Sequence, residues 1–142
     1  MQRRGGYGKK FSYRAGNWPK LSPKKKGTKR IWIQAVSVGE VSSISKLLNQ
    51  LSNEQNTEII LSGTTSTGLS LAEEKFRHLV SAIGPFPLDW FPFSNKAWKR
   101  INPDVIVMVD SELWPEHFYQ AQRREIPIFI INARLSDRSF TR

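Results

Sequence analysis

The sequence predicts an α/β fold in which a mostly parallel sheet lies between two layers of helices. Five short, β-rich apolar runs alternate with four stretches of helical periodicity. This alternation is typical of right-handed β-α-β units, which build parallel sheets. Loops rich in small and polar residues follow most of the runs, and ligands of such sheets bind outside the carboxyl ends of the strands. We therefore expect a functional site along that edge.

Periodicity and the placement of proline predict the elements in chain order. The expected strands cover residues 31–36, 57–62, 79–83, 104–110 and 126–133. The expected helices cover residues 41–51, 69–79, 94–100 and 115–124. Ser94 is the predicted cap of the third helix, and Pro115 is the predicted first residue of the fourth. Three prolines argue against a regular helix or a central strand over 84–93. The last predicted strand is an apolar run, so we expect it to be buried on both faces.

The net charge of +10 comes from the first thirty residues. Residues 1–30 hold eleven lysines and arginines and no acidic residue, whereas residues 31–142 are nearly neutral. Glycines and prolines interrupt the basic segment, so we expect a partly flexible arm at 1–30 and a folded domain at 31–142. The arm is interpreted as a solvated leader or as a contact to anionic lipid head groups, with nucleic acid the least favoured partner.

Composition excludes several classes of site. The chain has no cysteine, so disulfides and thiolate metal ligands are excluded, and an intracellular location is expected. No apolar run is long enough to cross a membrane, and the basic N-terminus does not read as a secretory signal. His78 and His117 lack partners at metal-ligand spacing, so they are interpreted as surface or core residues. Neither a metal nor another cofactor is expected.

The motif SVGE lies between the first predicted strand and the first predicted helix. Gly39 is expected to let the chain turn sharply after Ser37. Glu40 falls in the first turn of the helix, where a carboxylate interacts favourably with the helix dipole. Held rigidly at the mouth of a cleft, the same carboxylate could act as a general base. The residue spacing leaves both roles open.

The motif SELWP repeats this arrangement after the fourth predicted strand. Glu112 is expected to point into the crevice at the strand ends, and Asp110 is a rival for either carboxylate role. Two carboxylates at neighbouring strand ends indicate acid–base chemistry more strongly than one.

Polar loops follow the second and fifth predicted strands. Thr64 and Thr65 belong to the GTTSTG loop, which could present hydroxyl and N–H groups to a phosphate or form a capped turn. Asn132 and Arg134 could bind an anionic substrate or cap the chain. The aromatic residues of the proline-rich segment are interpreted as core or lid, with an apolar groove as the alternative: Trp90, Phe91 and Phe93.

The chain contains four longer strings in this order: IWIQAVSVGEV, LSGTTSTG, INPDVIVMVDSELWPE and IPIFIINARLSDRS. Together they resemble the N-terminal domain of 3-deoxy-D-manno-octulosonic acid (Kdo) transferases, from about Ile31 onward. The pair SVGE and ELWP is quite specific to that family. Two departures are visible: the family usually has histidine where this chain has Gln34, and often ETELWPN where it has DSELWPE.

The resemblance implies the acceptor-side half of a GT-B glycosyltransferase, a Rossmann-like three-layer sandwich. Such enzymes invert the anomeric centre, need no metal for the transfer, and move Kdo from CMP-Kdo to the 6′-hydroxyl of a lipid A precursor (lipid IVA). The reaction belongs to lipopolysaccharide biosynthesis, at the cytoplasmic face of the bacterial inner membrane. The C-terminal domain binds most of the donor and is expected to lie outside this chain, so the chain alone is expected to be inactive and peripheral.

Residue roles follow from the matched motifs. Glu40 resembles the catalytic base, and Glu112 resembles a second carboxylate that stabilises the transition state. The substrate-binding residues implied or predicted are Ser37, Gly39, Thr64, Thr65, Asn132 and Arg134. The alternative hypothesis is a catalytically inactive half-domain that binds lipid A or an anionic membrane surface. A nucleic-acid-binding protein is disfavoured because the excess charge is not on the folded part.

Overall fold

The computed structural model describes residues 8–109 and 112–133. Its strands are β1 (Lys29–Gln34), β2 (Thr57–Gly63), β3 (Ala82–Pro85), β4 (Val105–Val109) and β5 (Ile128–Ile131). Its helices are α1 (Val38–Ser43), α2 (Ser45–Asn53), α3 (Ser66–Phe76), α4 (Phe91–Ile101) and α5 (Pro115–Arg123). Two 3-10 helices cover Gly8–Ala15 and Arg77–Leu79.

The five strands form one sheet in the order β3-β2-β1-β4-β5. Each neighbouring pair is parallel. Ile33 in the central strand lies opposite Leu61 in β2 and Val107 in β4. The predicted α/β, Rossmann-like class with a parallel sheet is therefore confirmed.

Two hydrophobic cores cover the two faces of the sheet, because successive strand residues point to opposite sides. Ile33 belongs to the core beneath α1, α2 and α3, whereas Trp32 belongs to the core beneath α4 and α5. The first core is mostly aliphatic, whereas the second is rich in aromatic residues, with the fully buried Trp18, Trp98 and Phe86 around Trp32. The sheet is thus the middle of three layers.

The N-terminal segment from residue 8 packs on the aromatic side of the sheet. Trp18 is fully buried, and its indole N–H donates to the carbonyl of Pro85 at 3.2 Å. Tyr13 packs against Trp18 with ring centroids 5.1 Å apart. Arg30, inside β1, is also buried and ion-paired with Glu58.

Two predicted helix boundaries are wrong. The first amphipathic stripe is divided at Ile44 into α1 and α2. The third predicted helix begins at Phe91, and Pro92 lies in its first turn. Backbone N–H groups in a first turn have no acceptor within the helix, so the N–H that proline lacks costs no helical hydrogen bond. Ser94 therefore lies inside α4, and its hydroxyl bonds to Phe91 O and Glu116 rather than capping the helix.

Two predicted strands also differ. The chain makes a 3-10 turn at residues 77–79, so β3 begins at Ala82 and includes Pro85. Proline is tolerated there because β3 is an edge strand. β5 is the opposite edge and is not buried on both faces, since Phe129 and Ile130 are both exposed. An apolar run alone does not distinguish a central strand from an edge strand.

Candidate functional site

The carboxyl ends of β1 and β4 meet where the strand order reverses. From β1 the chain continues to β2 and β3 on one side, and then returns to β4 and β5 on the other. Such a switch point leaves a crevice outside the strand ends, where α/β sheets bind ligands. Glu40 follows β1 and Glu112 follows β4, so the two predicted carboxylates stand after adjacent strands.

Glu40 is the third residue of α1, and its side chain reaches back past the N-cap Ser37 to Val36 in a variant of the capping box. Its backbone N–H donates to Ser37 Oγ at 3.4 Å, and the Ser37 hydroxyl donates to Glu40 Oε1 at 3.2 Å. Glu40 Oε2 accepts the backbone N–H of Val36 at 2.5 Å. Each oxygen keeps further acceptor capacity, because a carboxylate has about four lone-pair sites. The carboxylate is held in place and still partly exposed.

Gly39 does not make the special turn expected of it. It lies in the first turn of α1, and it is not among the glycines with positive φ. A Cβ built there would meet only Ser37 Oγ, at 3.9 Å. Neither backbone conformation nor crowding therefore requires glycine at this position.

A chain of hydrogen bonds links the end of β1 to the loop after β2. The Ser62 hydroxyl accepts from Trp32 Nε1 at 2.9 Å and donates to Gln34 Oε1 at 2.6 Å. Gln34 Nε2 then donates to Thr64 Oγ1 at 3.1 Å. Sequence reasoning missed this link, although Gln34 and Ser62 were a visible signal, since each is a polar residue that directly follows an apolar run; the two prove to be register partners. The link orients Thr64 at the crevice.

Thr65 is the N-cap of α3, so the capped-turn interpretation of its loop is the one observed. Its hydroxyl accepts the Gly68 N–H at 3.1 Å and donates to Val36 O at 3.0 Å. A Cβ at Gly68 would lie 2.8 Å from Thr65 Oγ1 and 3.2 Å from the Ser37 carbonyl carbon. Glycine is required there because α3 approaches the loop that carries Ser37.

Of the remaining predicted site residues, two lie within the described part of the chain and two do not. Asn132 is exposed at the end of β5, and its amide donates to Ser43 Oγ at 3.1 Å, which connects that strand end to α1. Glu112 is exposed just before α5, which begins at Pro115 as predicted. Asp110 and Arg134 lie outside the described residues.

The histidines behave as predicted, with His117 fully buried and His78 exposed. Among residues 8–109 and 112–133, no group of three histidine, aspartate or glutamate side chains is placed to hold a metal ion. Over the same ranges, no helix is long and apolar enough to cross a membrane.

A family model described as 3-deoxy-D-manno-octulosonic-acid transferase (kdotransferase) matches residues 9–142. This chain belongs to the Kdo transferase family. The match includes both strand-end carboxylate motifs and most of the basic N-terminal segment.

Several relatives align with most of the chain. It is 36% identical over 111 residues to a 3-deoxy-D-manno-octulosonic acid transferase of Haemophilus influenzae, covering 77% of this chain and 26% of the relative. It is 32% identical over 114 residues to a bifunctional glycosyltransferase/methyltransferase of Fusobacterium nucleatum, covering 79% of this chain and 18% of the relative. It is 25% identical over 113 residues to a 3-deoxy-D-manno-octulosonic acid transferase of Chlamydia trachomatis, covering 79% of this chain and 26% of the relative. The chain therefore spans about a quarter or less of the length of these relatives.

Proposed function

We propose that this chain is the acceptor-side part of an inverting, metal-independent transferase that moves Kdo from CMP-Kdo to a lipid A precursor. The reaction takes place at the cytoplasmic face of the inner membrane. The donor nucleotide is held mostly by a second domain, so residues 1–142 alone bind acceptor but do not catalyse transfer.

The observation that carries this proposal is the placement of Glu40. It follows the central strand at the switch point of the sheet, and the Val36 N–H and the Ser37 hydroxyl hold its carboxylate. A general base needs this combination of a rigid carboxylate and access for the hydroxyl that it deprotonates. Family membership supports a hydroxyl acceptor and a sugar donor.

In the proposed reaction, the Glu40 carboxylate accepts the proton of the acceptor hydroxyl. The hydroxyl oxygen forms a bond to the anomeric carbon of Kdo, and the bond from that carbon to the phosphate oxygen of CMP breaks on the opposite side. Inversion follows from this single displacement. Glu112, on the adjacent strand end, offers a negative charge to the cationic sugar ring of the transition state.

A chimera tests the base assignment. Residues 9–142 are joined to the C-terminal part of the Haemophilus influenzae relative, and Kdo transfer from CMP-Kdo to tetraacylated lipid A precursor is measured. We expect the chimera to be active and Glu40→Gln to lower the rate by about 10²-fold or more. Glutamine can still accept the Val36 N–H through its amide oxygen, so the cap survives while the base is lost.

Two matched variants separate catalysis from folding. Ser37→Ala removes the cap but keeps the carboxylate, so it is expected to cost about 1 kcal/mol of stability and much less activity than Glu40→Gln. Glu74→Gln changes an exposed carboxylate in α3 and is expected to leave transfer unchanged. An active Glu40→Gln chimera refutes the base assignment. A folded chimera that transfers nothing, beside an active intact relative, counts against the proposed transferase.

A further inference from the structure

The polar link formed by Trp32, Ser62 and Gln34 lies inside the sheet, beneath the candidate site. Gln34 and Ser62 are each only 1% exposed, and Trp32 is fully buried. Gln34 and Ser62 are register partners on β1 and β2, two inner strands of the sheet. An apolar side chain would fill such a position without polar groups to satisfy, whereas a buried amide needs hydrogen-bond partners. Packing alone therefore does not explain the pair.

The hydrogen bonds of the polar link all run in one direction, from the core toward the crevice. An indole N–H can only donate, so Ser62 Oγ accepts from Trp32 Nε1 and its own hydrogen is left for Gln34. The contact between Ser62 and Gln34 is 2.6 Å, which lies within the range of about 2.5–3.0 Å for O–H···O bonds and is short for N–H···O. The amide oxygen of Gln34 therefore faces Ser62, and its N–H faces Thr64.

This direction decides what Thr64 offers to a ligand. Thr64 Oγ1 accepts from Gln34 Nε2 at 3.1 Å, so the hydroxyl hydrogen is donated to a partner other than Gln34. If residue 34 could only accept, the hydroxyl could turn its hydrogen back into the core. Thr64 is half-buried at the start of the loop after β2, so the polar link favours donation on the side of the crevice.

Thr64 and Glu40 are joined through the peptide groups of Val36. Thr65, next to Thr64, donates its backbone N–H to Val36 O at 3.1 Å, and the Val36 N–H donates to Glu40 Oε2 at 2.5 Å. A hydroxyl donor and a carboxylate are thereby placed beside the same strand end. The carboxylate would repel an anionic group such as phosphate. A sugar suits the pair, because it carries hydroxyl hydrogens for the carboxylate and neutral oxygen acceptors for the threonine.

We propose that Gln34 is a positioning residue that holds the Thr64 hydroxyl as a hydrogen-bond donor to a neutral oxygen of the acceptor sugar. That oxygen lies beside the hydroxyl that Glu40 deprotonates. The inference rests on the proposed function, which supplies the sugar acceptor. Thr64 makes its bond in the ground state and in the transition state alike, so the bond lowers KM for the acceptor and changes kcat little. Gln34 contributes only through Thr64.

Acceptor binding by the chain of residues 1–142 is the first test, because it needs no donor domain. The probe is tetraacylated lipid A precursor in detergent micelles, titrated by isothermal calorimetry. Gln34→Met keeps the length of the side chain and removes the last donor of the polar link, while the Ser62 hydroxyl still has the Ile33 carbonyl at 3.4 Å. We expect the dissociation constant to rise roughly three- to tenfold, the usual net value of one hydrogen bond.

Variants of Thr64 test whether Gln34 acts through this hydroxyl. Thr64→Val removes the donor and is expected to weaken binding by the same factor as Gln34→Met, whereas Thr64→Ser keeps the hydroxyl and is expected to bind like the parent chain. The double variant Gln34→Met with Thr64→Val is expected to bind no more weakly than Thr64→Val alone, because the two residues act as one unit. Losses that multiply in the double variant would overturn the proposal.

Two matched variants control for the loss of a buried amide and of a loop hydroxyl. Gln120 in α5 is also fully buried, and its amide donates to Glu116 at 2.7 Å. Thr67 is exposed in the first turn of α3, after the same loop as Thr64. Gln120→Met and Thr67→Val are both expected to keep the affinity of the parent chain for the acceptor.

Kinetics in the chimera with the Haemophilus influenzae C-terminal part distinguish positioning from damage to the fold. Gln34→Met is expected to raise KM for the acceptor by the same factor as the dissociation constant and to change kcat by less than about twofold. A misfolded fraction would instead lower kcat and leave KM unchanged, and that result would overturn the positioning role.

The outcomes separate the polar link from the proposed transferase. A parent chain that binds the acceptor, beside a Gln34→Met variant of equal affinity, would overturn the role of Gln34 and leave the transferase standing. Equal losses in Gln34→Met and Gln120→Met would also overturn it, because they would trace to the stability of the core. A parent chain without affinity for the acceptor would overturn the inference as well, while transfer by the chimera judges the transferase separately.

Discussion

His117 is fully buried in the aromatic core, and both of its ring nitrogens are bonded. Its Nδ1 accepts from the indole N–H of Trp98 at 3.1 Å, so the proton sits on Nε2, which donates to the carbonyl of Pro87 at 3.1 Å. Burial lowers the pKa of His117 to about 4, although the Pro87 carbonyl acts in the opposite direction. The imidazole is thus a neutral structural link between α4, α5 and the segment between β3 and α4.

This depressed pKa makes stability depend on pH. The unfolded chain binds a proton at this histidine below about pH 6.5, whereas the folded chain binds it only below about pH 4. The stability that the neutral His117 contributes to the fold is therefore fully present above pH 6.5 and is lost as the pH falls toward 4. We expect the drop in unfolding free energy between pH 7 and pH 4.5 to be about 2 kcal/mol smaller in His117→Gln than in the parent. Urea unfolding at the two pH values measures it.

The exposed His78 is the matched control for that experiment. His78→Gln is expected to keep the pH dependence of the parent chain. Equal pH dependence in His117→Gln and the parent would contradict the assignment of a buried neutral imidazole.

At the scale of elements, the N-terminal segment and β3 are in unusually close contact. A Cβ at Gly84 would lie 2.4 Å from Tyr13 Cδ2 and 3.2 Å from Trp18 Cη2. Both rings belong to the segment that covers the aromatic core, so a side chain at this position has no space unless the segment moves. Glycine is required here by close approach rather than by backbone conformation.

We expect Gly84→Ala to destabilise the domain by about 1–3 kcal/mol, the usual cost of overpacking a core. Gly39→Ala is the matched control, because its Cβ would meet only Ser37 Oγ, at 3.9 Å, and alanine is the better helix former. Thermal unfolding of both variants measures the difference. A Gly84→Ala variant as stable as the parent, with unchanged near-UV circular dichroism, would show that the segment does not pack on β3 in this way.

At the scale of the whole molecule, Arg30 joins four parts of the chain at the amino end of the sheet. Its guanidinium donates to Glu58 at 2.8 Å, to the Ile101 carbonyl at 2.5 Å and to the Ser22 carbonyl at 2.7 Å. These bonds connect β1 to β2, to the end of α4 and to the N-terminal segment. A buried cation with this many acceptors stabilises the arrangement chiefly because its removal would leave the acceptors unsatisfied.

Arg30→Ala is expected to cost about 3 kcal/mol, since it leaves the Glu58 carboxylate and two carbonyls without their donor. Lys29→Ala, at the exposed neighbouring position, is expected to change stability by less than about 0.5 kcal/mol. Urea unfolding at low and high salt is the measurement. Two variants of equal stability would be incompatible with a buried network around Arg30.

Much of the fold could be predicted because strand and helix type depend on local periodicity. The alternation of elements, the start of α5 at Pro115 and the position of Glu40 in the first turn of α1 are all confirmed. The start of α4 was missed because proline in a first helical turn looks, in sequence, like a helix breaker. The exposure of Phe129 was missed because an apolar edge strand and an apolar central strand have the same pattern.

The sequence by itself therefore determined the class of fold and the motifs at the strand ends, since both depend on residues close together along the chain. Glu40 and Glu112 were expected at neighbouring strand ends, and the tertiary structure decided the pairing of β4 with β1 that puts them after adjacent strands. It also decided that Gln34 reaches Thr64 and that the backbone of Leu88 bonds to Arg14 in the N-terminal segment. These contacts depend on strand order and on packing between segments distant in sequence, which local periodicity does not specify.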